Sequence, residues 1–297
     1  MPTDARADAA TPRAEGRCLC GGVRYRVAGP LGEVRYCHCA FCRRASGTAF
    51  SANARVPADR FELLAGGDRL TAHEQLPGVF RDSCRDCGAP VRGRLVAREP
   101  DFVRVRVGGL AADVDVRVTA HVWVSRKCAW YAITDALPRY AEAAGSETTT
   151  PRDPEPAAPA ELTGQCLCGG VRIAIAGKVG PLVHCHCSQC RIATGSAFSS
   201  NADVRKKYWR WIAGRDLVRE YESSPGKIRA FCTHCGAPVY SRWDAQPDML
   251  RLRLGLVNED PRRRALAHFW VGSKAPWFEI TDALPQYEGG VPDVPVA

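Results

Sequence analysis

The feature that most constrains this chain is a set of seven cysteines that occurs twice in the same order. Cys18, Cys20, Cys37, Cys39, Cys42, Cys84 and Cys87 return as Cys166, Cys168, Cys185, Cys187, Cys190, Cys232 and Cys235, each displaced by 148 positions. Gly47/Gly195, Phe50/Phe198 and Asn53/Asn201 keep that displacement. His121/His268, Trp123/Trp270, Trp130/Trp277, Asp135/Asp282 and Tyr140/Tyr287 are displaced by 147, so one residue has been lost in a loop. Ile133–Pro138 recurs unchanged as Ile280–Pro285. A register held this long is a tandem duplication of one unit of about 125 residues. The expected division is a disordered tail at 1–15, a first domain at 16–140, a linker at 141–163, a second domain at 164–287 and a tail at 288–297. The linker reads as extended because it is rich in Ala, Pro, Glu and Thr and poor in large apolar residues.

Fifteen cysteines in 297 residues mark either a secreted disulfide scaffold or a metal protein. Met1 to Arg17 has no apolar run, so it does not read as a secretion signal. No stretch approaches the ~18 apolar residues of a membrane span. The expected compartment is therefore the cytoplasm, where closely spaced cysteines serve as metal ligands rather than disulfides. The formal charge of +9 invites a nucleic-acid reading. Four divalent ions on fourteen thiolates would reduce it by six, to about +3, because metal-bound cysteine is deprotonated. The densest basic cluster, Arg262-Arg263-Arg264, is only a short run. Nucleic acid is thus not the expected partner, and no membrane is.

Within each copy the pattern is β. Val23–Val27, Phe102–Val107 and Val114–Val118 alternate apolar and polar residues, as do Val171–Ile175 and Leu250–Leu254 in the second copy. Such period-two alternation marks half-buried strands. Helix is expected only as a turn after Cys42 and at Pro57–Phe61.

The cysteines divide by spacing. Cys18-Leu-Cys20 and Cys84-Arg-Asp-Cys87-Gly88 each precede a strand and together offer four thiolates, a closed tetrahedral site of structural kind. Glycine after the second C-x-x-C permits the positive φ of a zinc knuckle. Cys166, Cys168, Cys232 and Cys235 repeat that set. Cys37, Cys39 and Cys42, and Cys185, Cys187 and Cys190, form C-x-C-x-x-C clusters with three thiolates and no fourth cysteine nearby. A three-ligand site with a vacant corner is the mark of catalytic zinc. A different sorting of the seven cysteines, or His38 as fourth ligand, stays open on spacing alone. In an extended C-x-C, however, the His38 side chain points away from both sulfurs, and the same holds for His186. Iron could replace zinc at four-cysteine sites. Cys128 has no counterpart and reads as a small buried apolar residue. His38 and His186 then line the pocket or hold a backbone carbonyl; the recurring tryptophans read as core, and His121 and His268 as satisfied core residues or a pocket wall.

The order Cys-x-Cys-Gly-x-Val, Cys-His-Cys-x-x-Cys-Arg-x-x-x-Gly-x-x-Phe and Cys-x-x-Cys-Gly-x-Pro resembles the glutathione-dependent formaldehyde-activating enzyme family, which includes centromere protein V. The resemblance runs from Arg17 to Tyr140 and again from Gln165 to Tyr287. In the second copy Cys-His-Cys-Ser-Gln-Cys-Arg-Ile replaces the Arg43-Arg44 doublet by Arg191-Ile192. The resemblance implies an all-β fold of two tandem Mss4-like, tent-shaped zinc-binding domains. It implies two zinc ions per domain and four per chain, a structural one on the four-cysteine set and a substrate-facing one on the three-cysteine set. It implies a carbon–sulfur lyase activity that joins formaldehyde to glutathione, with glutathione as substrate or co-substrate.

On that reading Cys37, Cys39, Cys42, Cys185, Cys187 and Cys190 carry the chemistry. Arg43, Arg44 and Arg191 are candidates to meet a glutathione carboxylate, since a guanidinium offers a bidentate fork. The partner is then a small thiol or aldehyde. The competing reading is a non-catalytic zinc module that binds a thiol ligand or a protein. Two complete copies suggest an internal pseudo-dimer, hence a monomeric chain.

Overall fold

A computed structural model describes residues 13–111, 114–149, 161–177 and 179–290. The expected tails at 1–12 and 291–297 and the linker core at 150–160 lie outside the described residues. In the first copy the strands are β1 (Arg13–Arg17), β2 (Arg24–Ala28), β3 (Val34–Cys37), β4 (Ser51–Pro57), β5 (Phe61–Ala65), β6 (Leu70–Leu76), β7 (Val79–Cys84), β8 (Pro90–Leu95), β9 (Glu99–Arg106) and β10 (Val118–Val122). Helix α1 (Ala40–Ser46) separates β3 from β4. The second copy repeats the order as β11 (Glu161–Gln165), β12 (Arg172–Ala176), β13 (Leu182–Cys185), α2 (Ser188–Thr194), β14 (Ser199–Arg205) and β15 (Trp209–Ala213). It continues with β16 (Val218–Ser224), β17 (Lys227–Cys232), β18 (Pro238–Trp243), β19 (Met249–Arg253), β20 (Ala265–Phe269) and a short added strand, β21 (Gln286–Tyr287).

Each copy is a small sheet packed on a large one. The small sheets run β1-β2-β5 and β11-β12-β15. The large ones run β10-β3-β4-β9-β8-β7-β6 and β16-β17-β18-β19-β14-β13-β20-β21. Pairing is antiparallel except where β10 joins β3, and β20 joins β13 and β21, in parallel. The architecture is the all-β one expected, with two short α-helices among the described residues.

Alternation explains the small sheet directly. Val23, Tyr25 and Val27 are fully buried, and Tyr25 stacks on Phe61 with ring centroids 5.4 Å apart. Arg24 and Arg26 point outward. The expected strand at Val114–Val118 is not one: only Val118 begins β10. Its alternation buries Val116 against the core, while residues 118–122 take the free edge of β3. The expected helical turn at Pro57–Phe61 is a single 3-10 turn, Ala58–Arg60. Strands β1 and β11 begin at Arg13 and Glu161, before the expected domain starts at 16 and 164. Residues 141–149 fold back on the first copy: Trp123 N–H donates to Glu142 O at 2.7 Å, and Ala141 N–H to Glu147 O at 2.9 Å. No helix among the described residues is long and apolar enough to cross a membrane.

The two copies meet through reciprocal contacts. Gly108 N–H donates to Gly195 O at 3.4 Å, and its counterpart Gly255 N–H donates to Gly47 O at 3.2 Å. Phe50 and Phe198 meet edge to face at 5.4 Å. Thr48 Oγ1 lies 2.9 Å from Ser200 Oγ, and Ser196 Oγ donates to Phe50 O at 3.0 Å. Contacts in which i touches j and the counterpart of j touches that of i are those of a two-fold interface. Here they lie within one chain. The backbones of the two copies approach closely at Gly108 and Gly255. A Cβ on Gly255 would stand 2.6 Å from Thr48 N, and one on Gly108 2.6 Å from Arg191 O.

Candidate metal centres

Four groups of cysteine sulfurs converge, each with all its sulfurs within 4.8 Å of one another. Cys18, Cys20, Cys84 and Cys87 form one, and Cys166, Cys168, Cys232 and Cys235 its repeat. Cys37, Cys39 and Cys42, and Cys185, Cys187 and Cys190, form the other two. A tetrahedral ion with metal–sulfur bonds of about 2.3 Å holds its sulfurs about 3.8 Å apart. The Cys20–Cys84, Cys168–Cys232 and Cys37–Cys39 sulfur separations are 3.7, 3.8 and 3.7 Å. Cys18–Cys20 is closer, at 3.3 Å. The donor sets therefore fit a thiophilic divalent ion with little movement.

The four-cysteine sites staple the sheets together. Cys18 and Cys20 sit in the turn between β1 and β2, Cys84 ends β7, and Cys87 lies in the turn before β8. Amides point at the sulfurs, as Val23 N–H does at Cys18 Sγ and Val171 N–H at Cys166 Sγ, both at 3.2 Å. Gly88 and Gly236 in the knuckles adopt φ of 73° and 71°.

The three-cysteine sites are built by the strand-to-helix turn. Cys37 ends β3, Cys39 caps α1 by accepting from Cys42 N–H at 3.4 Å, and Cys42 lies in the first helical turn. Gly47 closes the helix at φ 69°. Cys185, Cys187 and Cys190 repeat this, with Cys187 as the cap. No fourth His, Cys, Asp or Glu joins either group among the described residues. His38 and His186 turn away, fully buried. His38 Nε2 shares a hydrogen bond with His121 Nδ1 at 2.8 Å, and His121 Nε2 meets the Asp135 carboxylate at 2.9 Å. His186, His268 and Asp282 form the same chain, at 2.8 and 3.1 Å. Burial, then the neighbouring His121, holds His38 well below the usual imidazole range, and burial, then His268, brings His186 down to about 3. These neutral histidines tie the C-x-C segment to β10 or β20 and to the recurring Ile-Thr-Asp loop. His121 and His268 are thus partnered core residues.

The structure adds arginines that the sequence reading left among ordinary strand residues. Arg81 Nη2 lies 3.5 Å from Cys42 Sγ, and both Arg229 terminal nitrogens lie 3.8 Å from Cys190 Sγ. On the same sheet face stand Arg106 and Arg253, 1% and 2% exposed. Hydrogen bonds with Cys37 and Cys39, then the charges of Arg81 and Arg106, draw the Cys42 thiol well below its ordinary range. Cys185, Cys187, Arg229 and Arg253 do the same for Cys190. The available signal was the recurrence of two alternate arginines, in Phe102–Val107 and in Leu250–Leu254.

Arg43 and Arg191 lie on the two helices that pack against the other copy; Arg191 is buried, and the Nε of each has no hydrogen-bond partner. Arg44 donates to Asn258 of the other copy at 2.9 Å, so it serves the interface. Cys128 is buried, and burial pushes its thiol up to about 11. Of the recurring tryptophans Trp130 is core, at 2% exposed, but Trp270 is 45% exposed. Trp123 and Trp270 stand at φ 59° and 60°, which turns them off the strand ends and out of the core.

A profile of the glutathione-dependent formaldehyde-activating enzyme family matches residues 13–126 and 161–273. A Phaeosphaeria nodorum protein is 29% identical over 94 residues, which cover 30% of this chain and 50% of that protein. An Aspergillus terreus protein is 32% identical over 95 residues, 31% of this chain and 50% of that protein. Both carry the provisional name of glutathione-dependent formaldehyde-activating enzyme. The chain spans about half the length of these curated relatives. A solved structure of a Rhodobacter sphaeroides protein aligns at a TM-score of 0.28 and 21% identity, covering 32% of this chain and 85% of that one; so slight a likeness does not bear on the fold.

Proposed function

The chain belongs to the glutathione-dependent formaldehyde-activating enzyme family, and from that premise we propose that it is a zinc-dependent carbon–sulfur lyase acting on glutathione adducts of small aldehydes. The observation that carries the reading is the pair of three-thiol clusters with no fourth protein donor among the described residues. Cys37, Cys39 and Cys42 would hold one such ion and Cys185, Cys187 and Cys190 another. Zinc bound there supplies a lowered pKa for a substrate thiol. The remaining eight ligands, Cys18, Cys20, Cys84 and Cys87 and their repeat Cys166, Cys168, Cys232 and Cys235, would hold two further ions in closed, structural sites.

The chain's own residues provide the rest. The α1 turn fixes the spacing of the sulfurs, and the His38–His121–Asp135 chain fixes the Cys37-His38-Cys39 segment that carries two of them. Arg81 and Arg106 keep positive charge beside the cluster, which favours the substrate sulfur as thiolate. The thiolate sulfur attacks the formaldehyde carbon and forms the C–S bond. The carbonyl electron pair moves to oxygen, which takes up the proton equivalent to the one the thiol released. The product is S-hydroxymethylglutathione, and the lyase direction reverses each step. The enzyme's task is to concentrate thiolate next to carbonyl, because the addition itself is facile.

Metal content measured by mass spectrometry before and after titration with glutathione tests the reading. Four zinc ions per chain are expected, two of them lost or shielded as glutathione is added. Cys39→Ser with Cys187→Ser should leave a folded protein with two ions and no adduct chemistry. If the wild-type protein neither forms nor cleaves the adduct while holding four ions, the chain is a zinc module that binds a thiol ligand or a protein.

A further inference from the structure

Beyond the cysteines, each three-thiol site carries an unusual charge environment. Arg106 is buried with its Nε and Nη1 unpartnered, and Arg253 is buried with its Nε unpartnered. Arg253 donates to Asn201, and Arg229 to Ser223 at 3.0 Å and Gln189 at 3.4 Å, all neutral groups. Arg81 likewise donates to the neutral Gln75. None of the four has a carboxylate partner among the described residues. Other arginines on the same sheet face do: Arg104 pairs with Glu99 at 2.6 Å and Arg251 with Asp203 at 3.4 Å. A buried cation without counter-charge is strongly disfavoured. Arg81 and Arg229 contact cluster sulfurs directly, at 3.5 and 3.8 Å, and Arg106 and Arg253 stand buried on the same sheet face; the thiolates of a metal-loaded cluster are the anions within their reach.

The charge count then selects a ligand. Three thiolates and one divalent ion carry one net negative charge. Two guanidiniums leave the assembly with one positive charge in excess. A fourth ligand that is neutral leaves that excess buried, whereas a monoanion cancels it. We infer that the arginine pairs, Arg81 with Arg106 and Arg229 with Arg253, make each three-cysteine site select a monoanionic fourth ligand, such as a substrate thiolate, over a neutral donor. The inference rests on the reading of these clusters as open metal sites. The arginines act through charge at the site, as specificity-determining and not reacting groups. The second copy adds Lys227 where the first has Val79, and Asp203 where the first has Arg55. Counted against the first copy these replacements change the formal charge by +1 and −2, and Asp203 is already paired with Arg251 at 3.4 Å.

The test uses the full chain loaded with cobalt(II), titrated with glutathione, with azide and with imidazole. Thiolate-to-cobalt charge-transfer bands and ligand-field bands report the fourth ligand. The wild-type protein should bind glutathione and azide and resist imidazole. Arg106→Gln and Arg253→Gln should weaken glutathione and azide roughly tenfold or more at their own sites, with imidazole binding unchanged or improved. Arg106→Lys, which keeps the charge, should restore the anion preference. Equal losses for anion and imidazole would assign the arginines a purely structural part and overturn the inference. So would four bound cobalt ions with anion affinity indifferent to the substitutions. If the glutamine variants do not fold, wild-type protein that takes imidazole as readily as azide overturns it alone. Retention of only two cobalt ions per chain would overturn the open-site reading and this inference with it.

Discussion

Lys227 is the residue whose chemistry most distinguishes the two copies. It is 8% exposed, lies over the Trp243 ring at 4.6 Å, and shares its face with Arg229, Arg251 and Arg253. Burial, then the nearby arginines, brings its amine down to about 7 from an ordinary 10.5. The folded-state value is below the unfolded one, so between about pH 7 and pH 10.5 the unfolded chain binds the extra proton and stability rises with pH. Below that window the charged amine penalises the fold by an amount on the order of 5 kcal/mol. Lys227→Val, which copies the first domain, should therefore stabilise the protein most near pH 6 and progressively less toward pH 10. Urea unfolding of both proteins across that range checks this, and a pH-independent difference would contradict it. Arg106 and Arg253 show why such groups escape a sequence reading. An arginine alternating with valine or leucine in a strand signals a solvated face. These two are buried because the other copy and the cysteine cluster cover that face: a Cβ on Gly195 would stand 2.9 Å from Arg106 Cβ. Nothing in a local window encodes the cover.

The knuckles and strand-to-helix turns were legible in the sequence because their chemistry is local. C-x-x-C-G requires a glycine, and Gly88 and Gly236 take the positive φ expected of them. Spacing favoured a partition of the seven cysteines into four and three but left another sorting open; the structure brings the sulfurs together in groups of four and three. What spacing could not show is that each knuckle abuts the opposite copy: a Cβ on Gly88 would stand 2.7 Å from Phe231 Cβ, and one on Gly236 2.6 Å from Ser83 Cβ. Gly88→Ala therefore combines backbone strain with a clash and should cost about 1–3 kcal/mol or more. It should lower the thermal midpoint without changing the number of bound ions. The closed site makes a different prediction. Cys84→Ser removes the ligand that ends β7 and links it to the β1–β2 turn, so an ion joining residues far apart in the chain is lost. Because binding free energy at such a site is folding free energy, the variant should unfold at a markedly lower temperature and behave as the chelator-treated protein does. Calorimetry of variant and chelated wild type compares the two directly. The strand at 114–118 was misread because alternation reports burial on one face, not the presence of a neighbour to bond. Val116 is buried in a segment that joins no strand ladder before Val118 among the described residues.

Duplication is where sequence and structure meet most closely, and it carries the last prediction. The reciprocal contacts between Gly108 and Gly195 and between Gly255 and Gly47 place each copy's helix, α1 or α2, against the turn after the other copy's arginine strand. Those helices hold Cys42 and Cys190, and the turns follow Arg106 and Arg253. Each three-cysteine site is therefore braced by the opposite copy, which a single domain could obtain only by dimerising. The chain should sediment as a monomer of 32.3 kDa. A substitution in one copy should disturb the site in the other. Gly255→Val puts a branched side chain where a Cβ already stands 2.6 Å from Thr48 N, just beyond the end of α1. It should loosen metal at Cys37, Cys39 and Cys42, in the first copy, while Cys185, Cys187 and Cys190 in its own copy hold theirs more firmly. Gly108→Val should give the mirror result. Release of cobalt to a competing chelator, followed in each glycine variant on a background with one three-cysteine site removed by serine substitution, separates the two sites. Loss confined to the mutated copy would mean that the copies are joined without bracing each other's sites. The duplication would then have added a second site and nothing to the first.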